Sequence, residues 1–325
     1  IFLDGDVIGG PEQFGHGLQR TYIMALLNVA ARAQAGSENA NFAVLLGVEE
    51  PELYQHPPQA RFLASALYEL AGSGSQVIVT THSPYFISGR TFESVRVLRR
   101  QDGNTKVYRW SVDEQRKYCA TRKNVSPIGG QATLSGIDRS LQTNIAEMFF
   151  ASKVVFVEGA EDEAIISTYL RETKRYEAFL AGGGHIVPVG GKTKMPVLLA
   201  LARGFWIDAF CIFDFDSNVK AADQKNDDLI RYAQDVPISI PTGIATDFSS
   251  SRFFAFRNNI QDSILATYPV WESMKSDIAV EWGWDLSRME KDPMLLSEAV
   301  GRLFEQVGHV EPLEAVATVL MTFCE

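Results

Sequence analysis

VVFVEGAEDEAI (residues 154–165) and FCIFDFDSN (210–218) decide the reading of this chain. Each is an apolar run that delivers acids: Val154–Val157 leads to Glu158, Gly159 and, one helical turn on, Asp162, and Phe210–Phe213 leads to Asp214 and Asp216. Continuous apolar runs of this length read as strands of a parallel sheet buried on both faces. Side chains alternate along a strand, so Asp-Phe-Asp is expected to put both carboxylates on one face of a strand end. Three or four carboxylates at one sheet edge repel one another unless a hard divalent cation neutralises them, and all-oxygen ligation suits magnesium or manganese. Metal-assisted phosphoryl chemistry is the leading reading. The plainer alternative is an α/β domain whose acids only cap helices and solvate turns.

The order of these motifs, Glu-Gly at one strand end and Asp-x-Asp at a later one, resembles the Toprim fold of topoisomerases, primases and certain nucleases. Gly159 is expected to serve close backbone approach or a positive φ.

A second constellation lies in the first half. AVLLGVEEPELYQHP (43–57) reads as a strand ending in Glu49 and Glu50, and VIVTTHSPYF (77–86) as another ending near His82. These resemble the Walker B region and switch histidine of ABC-type ATPases related to SMC and RecF proteins. FGHGLQR (14–20), with Gly15, Gly17, Gln19 and Arg20 opening a helix, resembles their signature motif. A strand-end carboxylate there polarises water or holds magnesium beside a γ-phosphate, and a histidine on the next strand senses that phosphate. His82 read alone is a strand-end cap. No GxxxxGK[ST] phosphate loop occurs in the sequence. The expectation is therefore the carboxyl-terminal part of a longer protein, using ATP only when intact.

An ABC-type ATPase half running into a Toprim domain resembles the OLD (overcoming lysogenisation defect) nucleases, a family that includes the nuclease component of Gabija-type phage defence. The resemblance covers about Gly15 to Leu265. It implies a partial ATPase domain at residues 1–130, then a Toprim domain at 131–325 with a helix-flanked parallel sheet and C-terminal helical elements. It further implies a magnesium- or manganese-dependent DNA endonuclease in phage defence or DNA repair, with one or two ions held by Glu158, Asp162, Asp214 and Asp216 and with the ATPase half regulating assembly or DNA access. DNA, a homo-oligomer and a helicase-like protein are the implied partners. Lys192, after the pair Gly190–Gly191, is a candidate phosphate contact or an ordinary helix-start lysine. The family often carries an acid where this chain has Gln261, next to Asp262, and a lysine near the last helix, where this chain offers His309. Glu158, Asp162, Asp214, Asp216 and Lys192 are thus the catalytic candidates, and Asp262 and His309 secondary ones. The alternatives are a non-catalytic nucleic-acid-sensing or assembly module, and a primase or topoisomerase, the last without a recognisable tyrosine domain.

Composition agrees. With 325 residues, 46% hydrophobic and 22% charged, the chain can bury two cores. No apolar stretch reaches membrane-spanning length and no leader-like amino terminus is seen, so a cytoplasmic protein without membrane contact is expected. Cys119, Cys211 and Cys324 are in no metal spacing and read as reduced thiols. A net charge of −10 disfavours nucleic acid only if bulk charge decides, and local charge does not follow it. Residues 96–123 carry nine Lys and Arg interleaved with Tyr108, Trp110 and Tyr118, which reads either as a DNA path or as a solvated hairpin over aromatic packing.

Periodicity predicts helices over 17–35, 57–71, 139–150, 161–171, 192–203, 221–233, 294–306 and 311–323. Strands are predicted over 42–48, 76–81, 154–157, 185–189 and 207–213, with a hairpin formed by 95–98 and 106–110.

Overall fold

The computed structural model describes residues 2–4, 7–9, 45–72, 75–123, 128–217, 223–234 and 246–325, with single positions between 15 and 29. The chain packs as two units, Ile1–Ile87 and Ser88–Glu325.

In the first unit a short antiparallel pair, β1 (Phe2–Asp4) and β2 (Val7–Gly9), accompanies a parallel pair, β3 (Leu45–Glu49) and β4 (Gln76–Thr80), in register from Leu45 opposite Gln76 to Glu49 opposite Thr80. Helix α1 (Pro57–Gly72) connects β3 to β4. Proline at its first position has no N–H to leave unsatisfied, and Ala60, Leu63, Leu67 and Leu70, three and four apart, form its buried stripe. Gly17, Gln19, Tyr22, Ala25, Leu26 and Val29 are helical, as expected. Arg20, the rest of the helix predicted over 17–35 and the start of the strand predicted over 42–48 lie outside the described residues.

Early in the second unit, after a 3-10 turn at Phe92–Ser94, comes a hairpin, β5 (Val97–Gln101) and β6 (Asn104–Tyr108), whose turn is Asp102–Gly103 alone, both at positive φ (+51° and +78°). An Asp-Gly pair suits this tight, twist-matched turn, so both strands reach nearer to it than predicted. Helix α2 (Val112–Lys123) and helix α3 (Gly130–Ser140) follow. The helix predicted over 139–150 is not formed. Instead α3 ends at Ser140, and Ile145–Phe150 is a 3-10 segment that buries Ile145, Ala146, Met148 and Phe149, more of its circumference than one α-helical stripe covers.

Five strands then make the central sheet, in the order β10–β11–β9–β7–β8. β7 (Lys153–Val157), β8 (Gly184–Pro188), β9 (Asp208–Asp214) and β11 (Phe253–Phe256) are parallel, and the two-residue β10 (Phe248–Ser249) is an antiparallel edge. Alternation sorts the core. Val155, Val157, Phe210, Ile212, Phe254 and Phe256 share one cluster with Ile165, Ile166 and Leu170 of α4 (Ala160–Glu172). Val154, Phe156, Cys211, Phe213, Phe253 and Ala255, their neighbours along each strand, are also buried, so both sheet faces are covered. Helices α5 (Tyr176–Ala181), α6 (Met195–Gly204) and α7 (Asp223–Ala233) lie along the chain between the strands. Glycine ends α6 because a Cβ on Gly204 would lie 2.2 Å from the Trp110 ring.

The C-terminal part is helical, as predicted: α8 (Ile260–Thr267), α9 (Val270–Glu281), α10 (Leu286–Met289), α11 (Pro293–Val307) and α12 (Glu311–Cys324). Asp292 Oδ1 caps α11 through the N–H groups of Met294 and Leu295, and Gly308 ends it at φ +68°. No single helix among the described residues is long and apolar enough to cross a membrane.

Candidate metal centre

The carboxyl ends of β7, β8 and β9 meet at Glu158. Its carbonyl accepts from Gly190 N (2.9 Å) and Gly191 N (2.8 Å), tying the loop after β8 to the end of β7. Its side chain accepts from Asp214 N through Oε1 (2.9 Å) and from Lys192 N through Oε2 (3.4 Å). Gly190 and Gly191 have φ of +72° and +110°, a backbone that side-chain-bearing residues rarely adopt. Gly159, by contrast, is extended (φ −138°) and starts α4, its N–H donating to Asp162 Oδ2 at 2.9 Å. Of the two roles expected for Gly159, close approach or a positive φ, the positive φ falls on the 190–191 pair instead.

Asp162, Asp214 and Asp216 complete the acidic group. Asp162 is buried at the first turn of α4, and burial together with the Glu161 and Glu158 carboxylates pushes its pKa up to about 7. Asp214, last residue of β9, is pushed up to about 9 by burial and by the carboxylates of Asp162, Glu158 and Asp216. Glu158 is also raised, first by burial, with the Asp214 N–H and the Lys192 charge opposing. The strand geometry expected to align Asp214 and Asp216 stops at Asp214. Asp216 has φ +50°, and what joins the two is Lys192, whose Nζ donates to the Asp214 carbonyl (2.6 Å) and to the Asp216 carboxylate. Lys192 begins a 3-10 turn, Lys192–Lys194, ahead of α6 and is only 8% exposed.

The donor set suits a hard divalent cation: every group is a carboxylate, and burial and mutual repulsion disfavour their ionised forms, which a cation would stabilise. In the present arrangement no group of three or more His, Cys, Asp or Glu among the described residues has metal-holding geometry. Backbone N–H groups hold Glu158 and Asp162, and the Lys192 ammonium holds Asp216.

Three other residues carried no sequence signal. Asn226, fully buried on α7, donates to the Phe215 carbonyl (2.6 Å) and fixes the segment between Asp214 and Asp216. Lys291 Nζ lies 3.8 Å from Glu161 Oε1 and puts a positive charge beside Asp162. Lys275 is 1% exposed and donates to Gln261 Oε1 (2.9 Å), pairing also with Glu272 (2.9 Å). The amide at 261 thus serves a buried ammonium. Asp262 is exposed and its N–H is capped by Asn259, while His309 is exposed and its carbonyl accepts from Tyr268 Oη (2.8 Å).

In the other unit, His82 Nε2 lies 3.5 Å from Glu50 Oε1, and Glu50 N donates to the Thr80 carbonyl (2.8 Å). Glu49 ends β3 and is exposed. Glu52, which the sequence does not single out, accepts from Thr81 Oγ1 and His82 N (2.8 Å each) and so fixes the β4 end. Gly17 O accepts from Gln55 Nε2 (2.9 Å), and Gln19 N donates to Gly15 O (3.2 Å).

In the basic stretch, Tyr108 stacks on Trp206 at 5.7 Å, and Tyr118 meets Trp110 and Tyr232 edge-on. Arg99 donates to the Ala151 carbonyl (2.7 Å) and Arg122 to that of Gln234 (2.7 Å), so both are spent internally, whereas Arg100, Lys106 and Arg109 are exposed.

Residues 3–87 match the AAA ATPase domain family, and residues 149–216 match the overcoming lysogenization defect protein-like TOPRIM domain. Among curated proteins the chain is 28% identical over 228 residues to the Old nuclease of Escherichia phage P2, covering 69% of this chain and 37% of that protein. It is 24% identical to the OLD nuclease of Thermus scotoductus (72% of this chain, 41% of that protein). It is 22% identical to endonuclease GajA of Bacillus cereus (42% and 21%). The chain thus spans less than half the length of these relatives. Among solved structures, the C-terminal region of the Xanthomonas campestris pv. campestris OLD protein matches 54% of this chain and 93% of its own at 17% identity and a TM-score of 0.32, too slight a likeness to bear on function.

Proposed function

We propose that this chain, an AAA ATPase segment followed by an OLD-like TOPRIM domain, is the cleaving part of a divalent-metal-dependent DNA endonuclease, and that Glu158, Asp162, Asp214 and Asp216 hold its cation. The observation that carries this reading is the gathering of these four acids at the carboxyl ends of β7 and β9, with burial and mutual repulsion raising Asp162 and Asp214. The nuclease names of the relatives point the same way. When bound, magnesium or manganese supplies Lewis acidity toward a phosphodiester and charge against the developing phosphorane.

The chain's own residues do the rest. Glu158, fixed by two backbone N–H groups, sets the spacing of the three strand ends. Lys192 supplies a buried ammonium beside Asp216 that would be available to a phosphate oxygen if a bound cation balanced the acid's charge. Glu49, Glu50 and His82 form the nucleotide-responsive edge of the ATPase segment, which in the intact, oligomeric protein regulates DNA access with ATP. Phage defence beside a helicase-like partner is the setting this reading favours.

The test is supercoiled plasmid incubated with the protein and magnesium, manganese or EDTA. Nicked or linear DNA with either metal, absent in EDTA and in Glu158→Ala, is the expected result. Closed topoisomers point instead to a topoisomerase, and unchanged plasmid under all conditions to a non-catalytic binding module.

A further inference from the structure

A cavity of about 430 Å³ lies between α2, α3 and the start of α6, and α7 contributes Lys225 and Asp228 to its wall. Its volume falls in the range of small-ligand sites, about 300–1,000 Å³. The interior is apolar, built from Ala120, Ile137 and Pro196. The rim is cationic: five lining residues are Lys or Arg, against one acid, Asp228. Asp228 is already paired with Lys123 at 2.6 Å, and Arg116 with Asp113. Arg139 and Lys225 are exposed and make no ion pair among the described residues. In a chain of net charge −10, a cavity with this excess of positive charge is a local exception with electrostatic consequences.

Lys192 lines the cavity while its Nζ is bonded to the Asp214 carbonyl and the Asp216 carboxylate, so the cavity and the acid group share one side chain as a wall. An occupant must therefore join a flat or apolar body, to fill the interior, to an anionic group at the rim. If the occupant belongs to the nuclease substrate, its chain continues past Lys192 to the acids. A nucleotide within a strand has each of these properties: a base that stacks on apolar surface and a phosphate on either side.

We infer that this cavity is a nucleotide subsite, holding one base of the DNA strand next to the phosphodiester at the acid group, with Arg139 and Lys225 on its flanking phosphates. This rests on the nuclease reading above and adds to it the place where the strand is gripped.

The experiment measures binding without cleavage. A fluorescently labelled single-stranded oligodeoxynucleotide is titrated in EDTA against the wild type, against the double variant Arg139→Glu/Lys225→Glu and against Gly136→Phe. Gly136 lines the cavity, and a Cβ built there meets no atom within 4 Å, so a bulky ring at this position is accommodated without a clash at its base. The expected result is at least a tenfold loss of affinity in both. The salt dependence should flatten by about 0.7 in log–log slope per lost phosphate contact in the double variant only. Melting temperatures like the wild type's establish folding; if Gly136→Phe fails that check, the exposed charge variant decides. Equal affinity in wild type and variants overturns the subsite and leaves the nuclease reading intact, provided the wild type cuts plasmid. No binding by the wild type together with no cutting removes both. Deoxyadenosine monophosphate in a parallel thermal-shift arm separates the sources: if it stabilises the wild type but not Gly136→Phe while strand affinity is unchanged, the cavity takes free nucleotide and the strand subsite is overturned.

Discussion

Replacing Lys192 with methionine removes the ammonium bonded to Asp216 while keeping most of the side chain's length and apolar contact. Removing one partner of a fully buried ion pair costs about 3–5 kcal/mol, and an exposed pair is worth about 0–1 kcal/mol. Here the lysine is 8% exposed and the Asp216 side chain 39%, so solvent screens one end only and the loss falls between, at about 2 kcal/mol. For a domain of this size roughly 2–4 °C of melting temperature accompanies each kcal/mol, which predicts a drop of about 4–8 °C in EDTA. Added magnesium or manganese supplies the missing charge. At a hundred times its dissociation constant a ligand bound only to the folded state stabilises by about 2.7 kcal/mol, so the metal-induced rise should be larger in Lys192→Met than in the wild type. Thermal unfolding of both proteins, with EDTA and with each metal, makes the comparison. Identical melting in EDTA would show that Lys192 is an ordinary helix-start lysine, which can be lost without that cost.

Two further outcomes follow from the same structure. The folded-state pKa values of Asp162 and Asp214, about 7 and about 9, lie above the unfolded range near 4. The stability these groups bring is therefore complete below about pH 4 and lost as pH rises through about 7 and then about 9. Metal-free unfolding free energy should fall across that window, and cation binding at pH 7.5 should release protons, read as a buffer-dependent heat in calorimetry; binding without proton release contradicts the raised values. Two turns along α4 from Asp162, Glu314→Ala strands Arg175 and Tyr169, which hold that carboxylate from α4 and the start of α5. It should cost about 1–3 kcal/mol and lower the melting temperature, without changing metal affinity by calorimetry.

Much of this arrangement was legible in the chain because buried parallel strands leave an unmistakable imprint: Val154–Val157 and Phe210–Phe213 are almost wholly buried and do deliver Glu158 and Asp214 to one sheet edge. The motif order likewise indicated an ATPase segment before a TOPRIM domain, as the family matches bear out. What stayed hidden was tertiary. Alternation does not explain Asp216, because the strand ends two residues earlier and a lysine from another loop makes the link. The helix predicted over 139–150 failed because Leu141 and four of the six residues in 145–150 seek the core, beyond what one helical stripe can bury. Lys275 reads as a surface charge until Gln261 and Glu272 are seen around its ammonium. Glu52 gained its role only when the β4 end closed onto it.

If these four acids hold the cation, manganese bound to the protein sits among them. An anomalous difference map from crystals soaked in manganese should show its strongest peak among Glu158, Asp162, Asp214 and Asp216, with the Lys192 ammonium drawn off Asp216. A map with no peak there, or with manganese bound only elsewhere on the chain, would mean that these acids do not hold the cation.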